Sequence, residues 1–342
     1  MRKEKNKMNK ISFPGIGIEP FEIDRVAFKI FGVEIYWYGV IITLGMILAV
    51  AYAAWRAHQI GVNLDTMSDM AIFTIIFGVI GARLYYVLTS LDNYSSIKEV
   101  FAIRDGGLAI YGGIICGTAT IFAVCKFKKI NWRAMFDCIA PGVMIAQALG
   151  RWGNFFNVEA YGSVTKLPWR MCAESIASEL YHGGQIDIIQ AAEIMNGTLG
   201  VHPTFLYECL WNVLGFILIN IFYKKKKFDG QIALSYFAWY GFGRMFIEGL
   251  RTDSLYVLGF RISQVVGFLC FVVCTAIIVY VLIRQRKNAQ VAAFESILGG
   301  EQTMAEEAPI TENEMNEDSD AEKNTADESE NITNDTEEDT NG

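Results

Sequence analysis

Between Gly150 and Gly162 the chain reads GRWGNFFNVEAYG, directly after the apolar run Cys138–Leu149. A helix continuing through this stretch places Arg151 and Asn154 on one face, and Asn157 extends the row. The planar guanidinium fork of an arginine binds phosphate through two parallel hydrogen bonds. Asparagine amides orient such a fork or bind hydroxyls and carbonyls. Polar groups of this kind at the end of a membrane helix are costly unless they face a cavity or a ligand. The plainer alternative is an interfacial helix end, with Arg151 reaching for water and Trp152 in an aromatic belt. It leaves Asn154, Asn157 and Glu159 without a reason to be there.

A second polar set lies in YGFGRMFIEGLR, Tyr240–Arg251. Arg244, Glu248 and Arg251 fall on one helix face. Two arginines against one glutamate leave a positive surplus suited to an anionic ligand; the competing reading is an Arg244–Glu248 pair that serves packing alone. Asp105–Gly117 reads DGGLAIYGGIICG and carries Tyr111 among glycines that allow close approach of a helix or a ligand. Tyr38 belongs to the aromatic opening Tyr36–Trp37–Tyr38 of an apolar run, where an interface belt is the default. His202–Glu208, HPTFLYE, opens another run with Pro203 in its first turn. His202 there is a cap or a head contact as readily as a chemical group. Arg83 is either a pairing partner or a lipid-headgroup contact. Asp137 is expected to be structural.

The elements that must position these groups are membrane helices. Hydrophobic residues make up 52% of the chain, although its end is almost wholly polar. Seven apolar runs of bilayer-spanning length are expected: Tyr36–Trp55, Met70–Leu88, Leu108–Val124, Ala134–Leu149, Phe205–Tyr223, Ile232–Leu250 and Ile262–Ile283. The expected fold class is therefore all-α integral membrane. Residues 1–35 form an arm on the membrane surface, 36–287 the seven-helix body with a small extracytoplasmic head at about 157–204, and 288–342 a disordered acidic tail. The formal charge of −8 is set by that tail, since sixteen acidic residues face one lysine from Glu301 onward and the rest of the chain is net positive. An acidic block without aromatic residues cannot bury a core.

Lys126, Lys128, Lys129 and Arg133, then Lys224–Lys227, then Arg284, Arg286 and Lys287 all fall on one side of a seven-span chain, which should be cytoplasmic. The N-terminus is then outside and the C-terminus inside, with the polar stretch near Arg151 at the outer leaflet. The basic residues flank spans and do not form a soluble surface, which argues against nucleic-acid binding. Seven scattered cysteines and three histidines offer neither a disulfide framework nor a metal site. No signal peptide and no internal repeat are evident.

Taken together, the chain resembles the prolipoprotein diacylglyceryl transferase family of bacterial membrane enzymes from about Phe13 to Arg286. The most specific element is GRWGNFFNVEAYG. WYG at Trp37–Gly39, GGLAIYGG, DCIAP at Asp137–Pro141, HPTFLYE and the arginine–glutamate run of the sixth span are similar, in the same order. The resemblance implies transfer of the diacylglyceryl group of phosphatidylglycerol to the lipobox cysteine of a prolipoprotein signal peptide, with release of glycerol 1-phosphate and without a cofactor. It implies that Arg151 holds the phosphate while Asn154, Asn157 and Glu159 bind the headgroup or fix Arg151. Gly162 permits the turn after them, Arg244 stabilises the departing phosphate, Glu248 and Arg251 position Arg244, and Tyr38 bonds the phosphate or the thiol. Tyr111 stands where many members of the family have histidine. A tyrosine of pKa ~10 is a poor base at neutral pH, so it is expected to orient substrate. The competing functions are a lipid transporter or flippase using the same basic cavity, and a scaffold whose arginines only pair with lipid heads.

Overall fold

The computed structural model describes residues 9–91, 97–101, 106–252, 256–257 and 259–306. The chain divides into two units, Met1–Arg286 and Lys287–Gly342; the first holds every residue considered above as a site residue. Among the described residues the chain is mostly helical, and five helices are long and apolar enough to cross a membrane. The long helices are α1 (Trp37–His58), α2 (Leu64–Thr89), α4 (Ile110–Phe127), α5 (Trp132–Asn157), α8 (Thr204–Phe222), α9 (Gln231–Leu250) and α10 (Ile262–Glu306), with short helices α3 (Ile97–Phe101), α6 (Glu174–His182) and α7 (Ile188–Met195). Helices α5 and α9 are the two that fall short in apolarity, because they carry the polar residues of interest.

The fold is not all-α, as composition led one to expect. Short strands β1 (Asn9–Phe13), β2 (Ile18–Ile23), β3 (Val26–Ile30), β4 (Val33–Tyr36), β5 (Val164–Thr165), β6 (Cys172–Ala173), β7 (Gly200–Val201), β8 (Tyr256–Val257) and β9 (Phe260–Arg261) lie between the helices. The N-terminal arm is tied to the rest of the unit through its first strand. β1 lies between β2 and β6 in one antiparallel sheet. Ile11 and Phe13 bury their side chains with Met171, Ile176, Leu180 and Ile194 of the segment between α5 and α8, and with Phe155 and Phe205 from the ends of those two helices. The pairing joins residues far apart in sequence, which no local pattern encodes. The β3–β4 hairpin turns at Phe31 and Gly32, both at positive φ, as a two-residue turn matched to strand twist requires. A correction concerns the expected disorder after residue 287: α10 runs on to Glu306, so 288–306 is helical; residues 307–342 of the expected tail lie outside the described residues.

α5 is the central element. It packs along α1, α8 and α9. Asp137, fully buried near its start, accepts the backbone N–H groups of Gly230 and Ala233 at 2.9 Å and the Lys226 ammonium at 3.0 Å. One carboxylate of α5 thereby caps the N-terminus of α9, where orphan N–H groups and the helix dipole favour negative charge.

A reciprocal lock sets the register of α8 against α9. The indoles of Trp211 and Trp239 stack at 4.2 Å between ring centroids, and each donates its Nε1–H to the other residue's carbonyl at 3.0 Å. Gly243 receives the edge of Trp211 and Gly215 the edge of Trp239; a Cβ at either glycine would overlap the indole. Because the four residues alternate along two antiparallel helices, Glu208 and Arg244 are brought opposite each other. Gly243→Ala is therefore expected to destabilise the protein by about 1–3 kcal/mol, the usual range for overpacking. A fall in the melting midpoint of the purified protein in detergent checks this, and an unchanged midpoint would show that the indole yields freely.

Candidate active site

α5 carries Arg151 one and a half turns from its C-terminal end, α8 carries Glu208 in its second turn, and α9 carries Arg244 and Glu248 near its own end. All three helices thus contribute at the same end. There Glu208, 3% exposed, joins the two arginines. Its Oε2 receives Arg151 Nη2 at 2.5 Å and its Oε1 receives Arg244 Nη1 at 2.7 Å. Arg244 Nη2 continues to Glu248 Oε2 at 2.5 Å, and Arg251 Nη1 approaches Glu208 Oε1 at 3.6 Å. Glu248 is as buried as Glu208. Among the described residues, the ion pairs of this cluster join three guanidinium groups to two buried carboxylates. Paired charges of this kind are tolerated out of water, where a lone one is not.

The polar row of α5 ends in a fixed turn. Arg151 Nη1 donates to Asn154 Oδ1 at 3.3 Å, and the amides of Asn154 and Asn157 donate to Glu159 Oε1 at 2.9 and 3.1 Å. Val158 and Ala160, on either side of Glu159, both adopt left-handed backbone, which costs roughly 1 kcal/mol or more for such residues. The two kinks turn the Glu159 carboxylate back over the helix end, so Asn154, which accepts from Arg151, is itself anchored on the carboxylate that Asn157 also bonds. Arg25 reaches in from the start of β3 to the Asn157 carbonyl at 2.7 Å.

Gly162 is held by close approach. Its N–H donates to His202 O at 2.9 Å, Ser163 N–H to Leu250 O at 2.7 Å, and Gly162 bridges Arg251 as an isolated antiparallel pair. A Cβ there would lie 2.7 Å from His202 Cβ and 2.9 Å from Leu250 O. The glycine thus lets the segment after α5 lie between the entry to α8 and the exit of α9, which joins the three parts of the cluster. His202 serves this junction; its ring meets Tyr207 Oη at 3.1 Å, and burial lowers its pKa from the ordinary value.

Tyr38, in the first turn of α1, lies over Gly153, where a Cβ would come within 2.6 Å of its ring. This places it beside the Arg151–Asn154 turn. Tyr111 has different surroundings. It is 44% exposed and its ring lies 6.4 Å from that of Tyr85 in α2. The glycines around it serve helix packing, since Gly81 and Gly112 bring α2 and α4 together with no room for a side chain; Asp105 of that motif lies outside the described residues. Arg83 is a loop anchor. It donates to the carbonyls of Glu99, Val100, Gly106 and Gly107 at 2.5–2.9 Å.

The residue that sequence reasoning missed is Glu208. It was visible only as the last letter of HPTFLYE, yet it is the one acid in the apolar helix TFLYECLWNVLGFILINIF. An intramembrane carboxylate without a neighbour in its own helix needs a partner from another, and that signal points to Arg151 and Arg244.

Residues 25–280 match the family model described as prolipoprotein diacylglyceryl transferase. The chain is 42% identical over 247 residues to the phosphatidylglycerol–prolipoprotein diacylglyceryl transferase of Finegoldia magna, covering 72% of this chain and 90% of that protein. It is 42% identical over 269 residues to the enzyme of the same name from Enterococcus faecalis, covering 78% and 92%. It is 40% identical over 270 residues to that of Streptococcus equi subsp. zooepidemicus, covering 78% and 97%.

Proposed function

The chain belongs to the prolipoprotein diacylglyceryl transferase family, and from that premise we propose that it transfers the diacylglyceryl group of phosphatidylglycerol to the cysteine thiol of a prolipoprotein lipobox. The observation that carries this reading is the meeting of Arg151 and Arg244, from different helices, on the single buried carboxylate of Glu208. The thiolate sulfur attacks the glycerol carbon that bears the phosphate. The S–C bond forms, the C–O bond breaks, and its electron pair leaves on glycerol 1-phosphate. The phosphodiester carries one negative charge, which the guanidinium groups of the cluster attract. As the bond breaks, charge grows on the leaving phosphate, and preorganised guanidinium groups in a water-poor site stabilise it.

In this reading Arg151 holds the phosphate, and Asn154, Asn157 and Glu159 hold Arg151. Arg244 faces the departing oxygen, with Glu248, Glu208 and Arg251 as its positioning residues. Gly162 keeps the junction closed, and Tyr38 bonds the phosphate or the thiol. A thiol of pKa ~8.5 is already a few per cent thiolate at neutral pH, and nearby arginines increase that share. No base is then needed at position 111. Tyr111→Phe should retain at least about a third of wild-type turnover, and complete loss in a correctly folded variant would restore a chemical role to its hydroxyl.

We further propose seven crossings, with α5 and α9 as the two polar ones. α5 lies among α1, α8 and α9, which shields its polar face from lipid and removes the need for a uniformly apolar surface. The ends that carry basic clusters lie together: Asn131 bonds Asp229 at 2.7 Å and Gln285 bonds the Lys227 carbonyl at 3.4 Å. By the excess of lysine and arginine this is the cytoplasmic end. The arginine cluster and the head of residues 158–203 then face the outer side of the bacterial cell membrane, with the N-terminus outside.

The test is incubation of the purified protein with phosphatidylglycerol and a lipobox peptide. Release of glycerol phosphate together with the matching gain in peptide mass is expected. Lipid movement without covalent change would replace the enzyme by a flippase, a reading that the one-sided cluster disfavours, since an alternating-access site sits near the midplane.

A further inference from the structure

One helical turn deeper than the arginine cluster lies a second polar layer that no step above uses. On α5, Gln147 is four residues before Arg151; on α8, Asn212 is four residues after Glu208. The two helices run antiparallel, and two contacts fix their register. Met144 reaches the site where Gly215 would carry a Cβ, and Arg151 pairs with Glu208 at 2.5 Å. Gln147 and Asn212 fall opposite each other between these contacts. Asn212 is 2% exposed and donates Nδ2–H to the Glu208 carbonyl at 2.8 Å. Gln147 Nε2 bonds Tyr236 Oη at 3.0 Å. Among the described residues, both remaining amide oxygens, Gln147 Oε1 and Asn212 Oδ1, are buried without a hydrogen-bond partner. Two such acceptors in one layer are costly and call for a donor.

We infer that this layer is the subsite for the hydroxyls of the donor lipid's polyol headgroup, an inference that rests on the phosphate lying at Arg151 and Arg244. Four helical residues span about 6 Å, which a three-carbon headgroup attached to that phosphate covers. The diacyl side of the lipid offers only ester acceptors, so the unsatisfied oxygens discriminate between the two sides of the phosphate. Among the described residues, the layer holds the two amides and the Tyr236 phenol but no carboxylate. An ammonium headgroup would lose its hydration there without a countercharge, whereas neutral hydroxyls supply the missing protons. Gln147 and Asn212 therefore select a hydroxylated headgroup over an aminated or plain alkyl one.

The experiment compares phosphatidylglycerol with phosphatidylpropanol, which keeps the three-carbon headgroup and lacks its hydroxyls, in the peptide-lipidation assay with the full-length protein. Wild type is expected to favour phosphatidylglycerol by about 10–100-fold in kcat/KM, since a site built to bond a hydroxyl leaves buried groups unpaired when it is missing. Asn212→Leu and Gln147→Leu should lower that preference toward unity, chiefly through loss with phosphatidylglycerol. Equal use of the two lipids by wild type, as when a resident water satisfies both oxygens, would overturn the inference and leave the transferase reading intact. The wild-type comparison needs no variant to fold. Retention of full preference in both folded variants would overturn it equally, and absence of transfer from either lipid would remove the reading on which it stands.

Discussion

Glu208→Gln is expected to lower turnover by about a hundredfold and to lower the melting midpoint. The substitution keeps the shape of the side chain and removes its charge, while Arg151, Arg244 and Arg251 all face that carboxylate at 3.6 Å or less. Breaking a buried ion pair by neutralising one partner costs about 3–5 kcal/mol, because the other charge stays buried and unmatched. Part of that cost appears as lost stability. The rest appears in the barrier, since the forks no longer share one aiming point and about 1.4 kcal/mol is tenfold in rate. Glycerol phosphate release and thermal unfolding, measured on one preparation, check both. Wild-type values in the two assays would mean that the carboxylate neither binds nor orients the arginines.

Arg151→Lys is expected to lose at least about a hundredfold in turnover with a much smaller change in stability. The native guanidinium divides its two terminal nitrogens between Glu208 Oε2 and Asn154 Oδ1 and still has donors for a phosphate. A lysine ammonium keeps the charge toward Glu208 but presents a point and not a fork. Losing one or two charge-assisted hydrogen bonds, at about 1.5–3 kcal/mol each, accounts for the expected loss. Near-normal release of glycerol phosphate by this variant would exclude two-pronged phosphate binding at position 151. The pair of variants also separates two functions of charge: the glutamate substitution should affect folding and catalysis together, the lysine substitution catalysis almost alone.

Much of this site is legible in the sequence. Apolar runs place the starts of the seven long helices to within six residues, and among the described residues five of these helices are apolar enough to cross a membrane, because lipid imposes length and composition directly on a helix. Arg151, Asn154, Asn157, Glu159, Arg244, Glu248 and Arg251 stood out because charge and amides are conspicuous near the ends of such helices. Their internal relations, Arg151 to Asn154 and Arg244 to Glu248, follow from helical periodicity alone.

What joins one helix to another was not legible. Glu208 lies 57 residues after Arg151 and 36 before Arg244 along the chain; the Trp211–Gly243 and Trp239–Gly215 contacts set it against Arg244, and the Met144–Gly215 contact sets it against Arg151. Gln147 and Asn212 drew no notice, because each is an ordinary amide until packing faces them to each other without donors. The pairing of β1 with β6 was hidden for the same reason. Composition and periodicity act within a segment, so the sequence by itself determined which long stretches are helices and which residues stand out in them as polar. Shape complementarity between segments acts across the chain, and it alone decided which of those residues meet, how their charges balance and which groups are left wanting a ligand.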